Sequence, residues 1–107
     1  MHTSIELSDI YSMKSKFIVK KKDGNLVLEC LQEEITCKYI PFLMSEEELF
    51  IWENIHENIT VQEIEHLIAD IFVLDKYSTI ICVEGFLQQL KKHISQIQQY
   101  ALLTHYK

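Results

Sequence analysis

The chain has few of the residues on which several common functional sites depend. Only two of its 107 residues are glycines, Gly24 and Gly85, which is too few for a glycine-rich loop that holds phosphate groups. Its five histidines include no pair at the i, i+4 spacing of a helical zinc site. No arrangement of nucleophile and base stands out either. We therefore predict no catalytic residue, no metal and no cofactor, and expect a protein that is not an enzyme.

Cysteine is also scarce, and its spacing is irregular. The chain has an odd number of cysteines and no CxxC motif, so a disulfide framework is not expected. The three cysteines are Cys30, Cys37 and Cys82. This usage is typical of a reduced, cytoplasmic chain. The N-terminus shows no basic region followed by an apolar run, and no apolar stretch approaches the roughly 20 residues of a membrane helix. We expect neither a signal peptide nor a membrane partner.

Positive charge is in the minority. Ten basic residues face 16 acidic ones, and the net charge is −6. Proteins that bind nucleic acid usually carry a basic face, so this balance argues against a nucleic-acid partner. The apolar fraction of 48% and the charged fraction of 24% are ordinary for a folded domain. A chain of this length predicts one domain over residues 1–107.

The first half of the chain reads as a small sheet. Residues 16–20 and 26–31 flank Asp23-Gly24, a pair typical of a tight hairpin because glycine accepts positive φ. A third strand is predicted from Ile35 to Ile40. The following Pro41 cannot donate a ladder hydrogen bond, which suits the end of an edge strand. The pattern predicts a three-stranded meander whose third strand has a free edge. Residues 1–13 form either a loose helical turn or an arm, and no function is assigned to them.

The second half has the spacing of helices. Residues 45–48 (Ser-Glu-Glu-Glu) and 60–63 (Thr-Val-Gln-Glu) each match a capping box, in which two side chains bind backbone N–H groups at a helix start. Trp52 shares a face with Leu49 and Ile55, which predicts that it anchors the first helix in the core. The second helix carries an apolar stripe at helical spacing: Ile64, Leu67, Ile68, Ile71 and Phe72.

A third helix follows a loop over residues 73–77. Ser78 or Thr79 is the expected cap, and apolar residues recur at helical spacing from Val83 to Ile97. Gly85 lies inside this stripe, where glycine costs about 1 kcal/mol relative to alanine. Its presence predicts close packing by a neighbour or a ligand. The tail from residue 96 either extends the helix or packs back on the domain.

The order of these elements resembles the PqqD-like family, whose members are small peptide chaperones also called RiPP recognition elements. The resemblance covers about residues 16–95 and rests on short motifs in a fixed order: Met44-Ser45, Ile51-Trp52, Ile55, Thr60 with Glu63-Ile64, and Val83-x-x-Phe86-Leu87-x-x-Leu90. Met44 replaces the family's usual leucine. Glu57-Asn58 stands where an Asp-Gly turn is common, and the Gly-Leu pair that often closes the third helix is absent.

The resemblance implies a fold and a binding function. The fold is α+β and winged-helix-like, with a three-stranded antiparallel sheet followed by three helices. The function is recognition of the leader peptide of a ribosomally synthesised precursor, which adds a strand to the third strand and lies against the third helix. The peptide is then presented to a separate modifying enzyme, such as a radical enzyme, a cyclase or a peptidase.

This implied groove can be placed on residues of the chain. Its strand side is Ile35, Thr36, Cys37, Lys38, Tyr39 and Ile40, and its helix side is Cys82, Phe86, Gln89, Lys92 and His93. An edge strand offers unpaired N–H and C=O groups to an extended peptide. Lys38 and Lys92 are positioned to meet acidic side chains of the leader.

Two other functions fit the same fold. A winged-helix regulator would bind DNA, but its recognition helix should be basic, whereas the helix from Thr60 carries Glu63, Glu65 and Asp70. An assembly protein would form a homodimer through the free strand edge. Peptide binding, DNA binding and self-association therefore remain to be separated by experiment.

Overall fold

The computed structural model describes residues 6–31 and 42–105, with side chains described as far as residue 97. In this part of the chain the elements are α1 (Leu7–Lys14), β1 (Phe17–Lys22), β2 (Asn25–Cys30), β3 (Phe42–Met44), α2 (Glu46–Asn54), α3 (Val61–Phe72) and α4 (Lys76–His105). The predicted α+β arrangement, a three-stranded antiparallel sheet followed by three helices, is confirmed. Helix α1, which precedes the sheet, is a regular helix in the segment for which a loose helical turn or an arm was predicted.

The sheet has the order β1-β2-β3, with both neighbouring pairs antiparallel. The hairpin between β1 and β2 turns at Asp23 and Gly24, whose φ values are 51° and 82°. Two successive residues at positive φ match the twist of the flanking strands, which explains the Asp-Gly pair. Strand β3 pairs Phe42 with Leu28 and Met44 with Leu26. Within the described residues, β1 and β3 are the two edges of the sheet.

The third strand differs from the predicted segment. The predicted strand from Ile35 to Ile40 lies outside the described residues, and β3 begins two residues later, at Phe42. No strand was predicted over Phe42, Leu43 and Met44. Three residues are too few to show alternation clearly, and the capping box at Ser45 indicates that a helix begins directly after them.

One face of the sheet packs on the helices. Side chains alternate along a strand, so Phe17, Leu28 and Met44 share the inner face and are buried. Trp52 of α2 meets Phe17 edge to face, with the ring centroids 6.0 Å apart. This contact confirms that Trp52 anchors the first predicted helix in the core, and it joins that helix to the sheet.

Both predicted capping boxes are present. The Glu48 N–H donates to Ser45 Oγ (3.2 Å), and the Ser45 N–H donates to Glu48 Oε1 (2.9 Å). At α3, the Glu63 N–H donates to Thr60 Oγ1 (3.1 Å) and the Thr60 N–H donates to Glu63 Oε1 (3.3 Å). These bonds satisfy N–H groups that have no partner inside the helix, and they fix where each helix begins.

The apolar stripe on α3 is only partly buried. Ile64 and Ile68 are fully buried and Phe72 packs edge to face on Phe50 of α2, but Leu67 and Ile71 are 38% and 55% exposed. The predicted stripe is therefore present, but Leu67 and Ile71 lie at its exposed part. Helix α3 packs on its neighbours α2 and α4 through only some of the apolar residues in its stripe.

The start of α4 also differs from the prediction. The helix begins at Lys76, because the Asp75 carboxylate accepts a hydrogen bond from the Ser78 N–H (2.7 Å). This bond and a second one from Ser78 lower the pKa of Asp75. The predicted cap at Ser78 or Thr79 and the loop as far as residue 77 are therefore wrong. At the other end, the helix continues to His105, which decides between the two alternatives for the tail.

Helix α1 is attached to the end of α2 through Lys14. Its Nζ donates to the carbonyl groups of Glu53 (3.3 Å) and Ile55 (2.9 Å), and it lies 5.6 Å from the centre of the Trp52 ring. The last carbonyls of a helix lack intrahelical partners and attract a cation. Burial lowers the pKa of Lys14, and the Glu53 carboxylate opposes that shift. No helix in the described residues combines the length and apolar character needed to cross a membrane.

Candidate functional site

Strand β3 is an uncharged edge strand. Its residues are Phe42, Leu43 and Met44, and Leu43 is 57% exposed on the face of the sheet opposite the helices. In an antiparallel pair, the N–H and C=O groups of successive residues point alternately toward the partner strand and away from it. No described strand pairs with β3 on the side away from β2. Within the described residues, the main-chain groups on its outer side therefore have no partner strand.

Helix α4 packs against β3 through Phe42. The Phe42 ring lies 5.9 Å from the ring of Phe86 and 5.0 Å from the ring of His93, measured between centroids. The structure thus brings two of the predicted helix residues to the edge strand. Both are buried, at 2% and 5% exposure. They form the base of the region between β3 and α4, rather than an open surface.

The other three predicted helix residues differ in exposure. Cys82 is half-buried, whereas Gln89 and Lys92 are exposed. Burial raises the pKa of the Cys82 thiol, and the carboxylates of Glu48 and Glu47 raise it further. The thiol is therefore held protonated, which makes it a poor nucleophile.

His93 is a neutral group at the base of this region. Burial lowers its pKa, so the imidazole is uncharged at neutral pH. Its ring is tilted by 42° against Phe42. A neutral imidazole packs well on a phenyl ring, as His93 does on Phe42. Its ring nitrogens can still donate or accept a hydrogen bond.

A stripe on α4 borders the same region. Cys82, Gly85, Gln89 and Lys92 lie at i, i+3, i+7 and i+10, and hence along one side of the helix. We call these four residues the α4 stripe. Helix α3 meets α4 on another side, around Thr79 and Ile80, and α1 meets it around Lys91, Ile94 and Ser95. Cys82 lies one turn from Phe86 and Gln89 one turn from His93, and these two residues meet Phe42 of β3. We call the α4 stripe and β3 together the β3–α4 surface.

The strand half of the predicted site cannot be placed. Ile35, Thr36, Cys37, Lys38, Tyr39 and Ile40 all lie outside the described residues. The strand that the structure does set beside Phe86 and His93 is β3, which the sequence analysis had not included in the site. The missing signal was register: the sequence does not show which residues pair with Leu26 and Leu28.

Two cavities lie elsewhere on α4. One, of about 300 Å³, lies between α1 and α4 and includes Asp9, Met13 and Lys91. The other, of about 600 Å³, lies between α3 and α4. In the second, burial raises the pKa of Glu65, and the nearby Glu84 carboxylate adds to that shift. Among residues 6–31 and 42–105, no group of three or more histidine, cysteine or acidic side chains is placed to hold a metal ion.

Comparison of the chain with protein-family models, with curated proteins and with solved structures finds no match. The resemblance to the PqqD-like family therefore stays a prediction from the motifs. The features that bear on function are the edge strand β3, the helix α4 packed beside it, and the charged side chains on the helices and the hairpin.

Proposed function

We propose that the protein is a non-catalytic, cytoplasmic recognition protein of the PqqD-like kind. It binds the leader peptide of a ribosomally synthesised precursor by strand addition and presents the peptide to a separate modifying enzyme. The observation that carries this proposal is the packing of α4 against β3, an uncharged strand with no described partner on its outer side. A strand edge beside a helix is the arrangement that an extended peptide needs.

The chemistry of this surface matches an extended peptide. Main-chain hydrogen bonds to β3 supply affinity that does not depend on peptide sequence, and side chains beside the strand supply selectivity. On the α4 stripe, Gln89 offers an amide and Lys92 a positive charge, and both are exposed. Lys92 is suited to an acidic residue of the leader. The predicted strand residues from Ile35 to Ile40, with Lys38 among them, remain part of this proposal.

The charge distribution favours a peptide over DNA. Helix α3 carries Glu63, Glu65 and Asp70 where a DNA-binding helix would carry basic residues. The hairpin does hold three lysines, but Lys20 and Lys22 both pair with the Glu29 carboxylate. These ion pairs neutralise part of the only lysine cluster in the described sheet.

The proposal is tested by calorimetric titration of the purified protein with leader peptides encoded by genes beside its own. The decisive variant is Leu43→Lys, which puts a charge on the exposed face of β3 and opposes strand addition. We expect it to weaken binding at least tenfold. The matched control is Ile18→Lys, on the same face of the sheet but on the opposite edge. We expect that variant to bind the peptide as the wild type does.

Other outcomes would point to other functions. A folded wild-type protein that binds none of these peptides would overturn the proposal. Self-association that Leu43→Lys abolishes, without peptide binding, would indicate an assembly protein that dimerises through β3. Tight binding to DNA that weakens steeply with added salt would indicate a regulator.

A further inference from the structure

Gly85 is unfavourably placed for helix stability. It lies within the 30-residue helix α4, where glycine loses more conformational freedom on folding than any other residue. The sequence predicted close packing at this position by a neighbouring segment or by a ligand. A Cβ built at Gly85 meets no described atom within 4 Å. Packing within residues 6–31 and 42–105 therefore does not account for this glycine.

The position of Gly85 relates it to β3. Gln89 and His93 follow it at i+4 and i+8 along one side of the helix, and the His93 ring packs on Phe42 of β3. On the α4 stripe Gly85 lies between Cys82, which is half-buried, and Gln89, which is exposed. The space above Gly85 thus borders the strand to which the proposed peptide adds.

We infer that Gly85 is the point at which the backbone of the bound leader peptide passes closest to α4. This inference rests on the proposed function and deepens it. A residue without a side chain lets two backbones approach each other, which is one of the established uses of glycine. An alanine methyl group would hold the peptide away from the helix and weaken its hydrogen bonds to β3. The glycine is therefore a specificity-determining residue that costs the free protein stability.

The test is Gly85→Ala, followed by two measurements. Alanine favours a helix over glycine, so we expect the melting temperature of the free protein to rise by about 4 °C. We expect the affinity for the leader peptide to fall at least tenfold. Gly85→Ser fills similar space with a weaker helix former, so it should also weaken binding while raising the melting temperature less. The control is Ser95→Ala, at an exposed position on the side of α4 where α1 meets it, and it should leave binding unchanged.

The outcomes separate this inference from the function on which it rests. If Gly85→Ala is more stable and binds the peptide as well as the wild type, Gly85 is not a contact point, but leader recognition stands. If the variant is less stable, the chain packs its own residues at Gly85 and the inference is wrong. If the wild-type protein binds no leader peptide, the proposed function fails, and this inference fails with it.

Discussion

The two edges of the sheet differ in length and in charge. Strand β1 has six residues and ends in Lys20, Lys21 and Lys22, whereas β3 has three residues and no charge. Lysines along an edge strand oppose the addition of another chain, and short strands limit it. The domain therefore protects its long edge by charge. Within the described residues, its short edge is protected only by its length and by the neighbouring helix, and this is the edge to which the proposed peptide would add.

The two edges are also held in place differently. Strand β1 pairs with β2 over six positions through a tight turn, so its place follows from residues close in sequence. Strand β3 pairs over three positions and depends on Phe42, whose ring meets Phe86 and His93 of α4. The first edge is a local structure, and the second depends on tertiary contacts. The following predictions test this difference.

The largest effect is expected for Phe42→Ala. Removing a half-buried phenyl ring between β3 and α4 should lower the free energy of unfolding by about 2 kcal/mol, less than for a fully buried phenylalanine. Ile18→Ala is the matched variant on β1 and should cost about half as much. Urea denaturation followed by circular dichroism gives both values. Equal losses would show that β3 depends on α4 no more than β1 does.

A smaller loss is expected for Gly24→Ala in the turn beside β1. The φ of 82° at this residue is costly for any residue with a Cβ, so the variant should lose about 1 kcal/mol. Asparagine tolerates this conformation better, and Gly24→Asn should recover part of the loss. Because the hairpin is local, hydrogen exchange should accelerate in β1 and β2 more than in α4. Equal acceleration throughout would contradict the separation of the two edges.

Acid should affect the β3 side first, through His93. Its pKa in the folded protein is lowered by burial, so the unfolded chain binds the proton more readily. The associated stability is complete above the ordinary value of 6.5 and is lost as pH falls through 6.5 toward the lower folded pKa. The urea midpoint should fall over this window, and His93→Gln should flatten the fall. An unchanged pH profile in the variant would exclude His93 as its source.

The β1 side should respond at lower pH, and least of all. Hydrogen bonds from Lys22 and then Lys20 lower the pKa of Glu29, whose ordinary value is 4.5. Stability from these pairs is present above pH 4.5 and is lost as pH falls below it. The carboxylate is open to solvent, so the effect should be slight and weaken with salt. Glu29→Gln, compared with wild type in acid at low and high salt, checks this; a large, salt-independent difference would contradict it.

Much of the fold could be predicted because it is specified by neighbouring residues. The turn at Asp23-Gly24 and the boxes at Ser45 and Thr60 each satisfy backbone groups a few residues away, so short motifs were sufficient to place them. The same locality explains one error. Asp75 also caps a helix locally, but Ser78 and Thr79 are equally good capping residues, and composition alone could not rank them.

The candidate site was predictable only in part. Helical spacing grouped Phe86 and His93 on one side of α4, and the structure sets both rings against Phe42 of β3. It did not show that both would be buried by Phe42, because the partner strand is set by pairing with β2, 14 to 18 residues earlier in the chain. It also did not show that Leu67 and Ile71 on α3 are exposed. An apolar stripe shows which residues of a helix can be buried, but the neighbouring elements decide which of them are buried.

By itself, the sequence determined that a three-stranded sheet is followed by three helices, and it determined the hairpin turn and the caps of α2 and α3. Each of these follows from hydrogen bonds and φ preferences within a few residues. Only the tertiary structure decided which strand lies against α4, how deeply Phe86 and His93 are buried, and that no described atom packs against Gly85. Those features depend on strand register and on side-chain packing between segments that are far apart in the sequence. These interactions contribute to stability only in the folded chain, so short motifs do not reveal them.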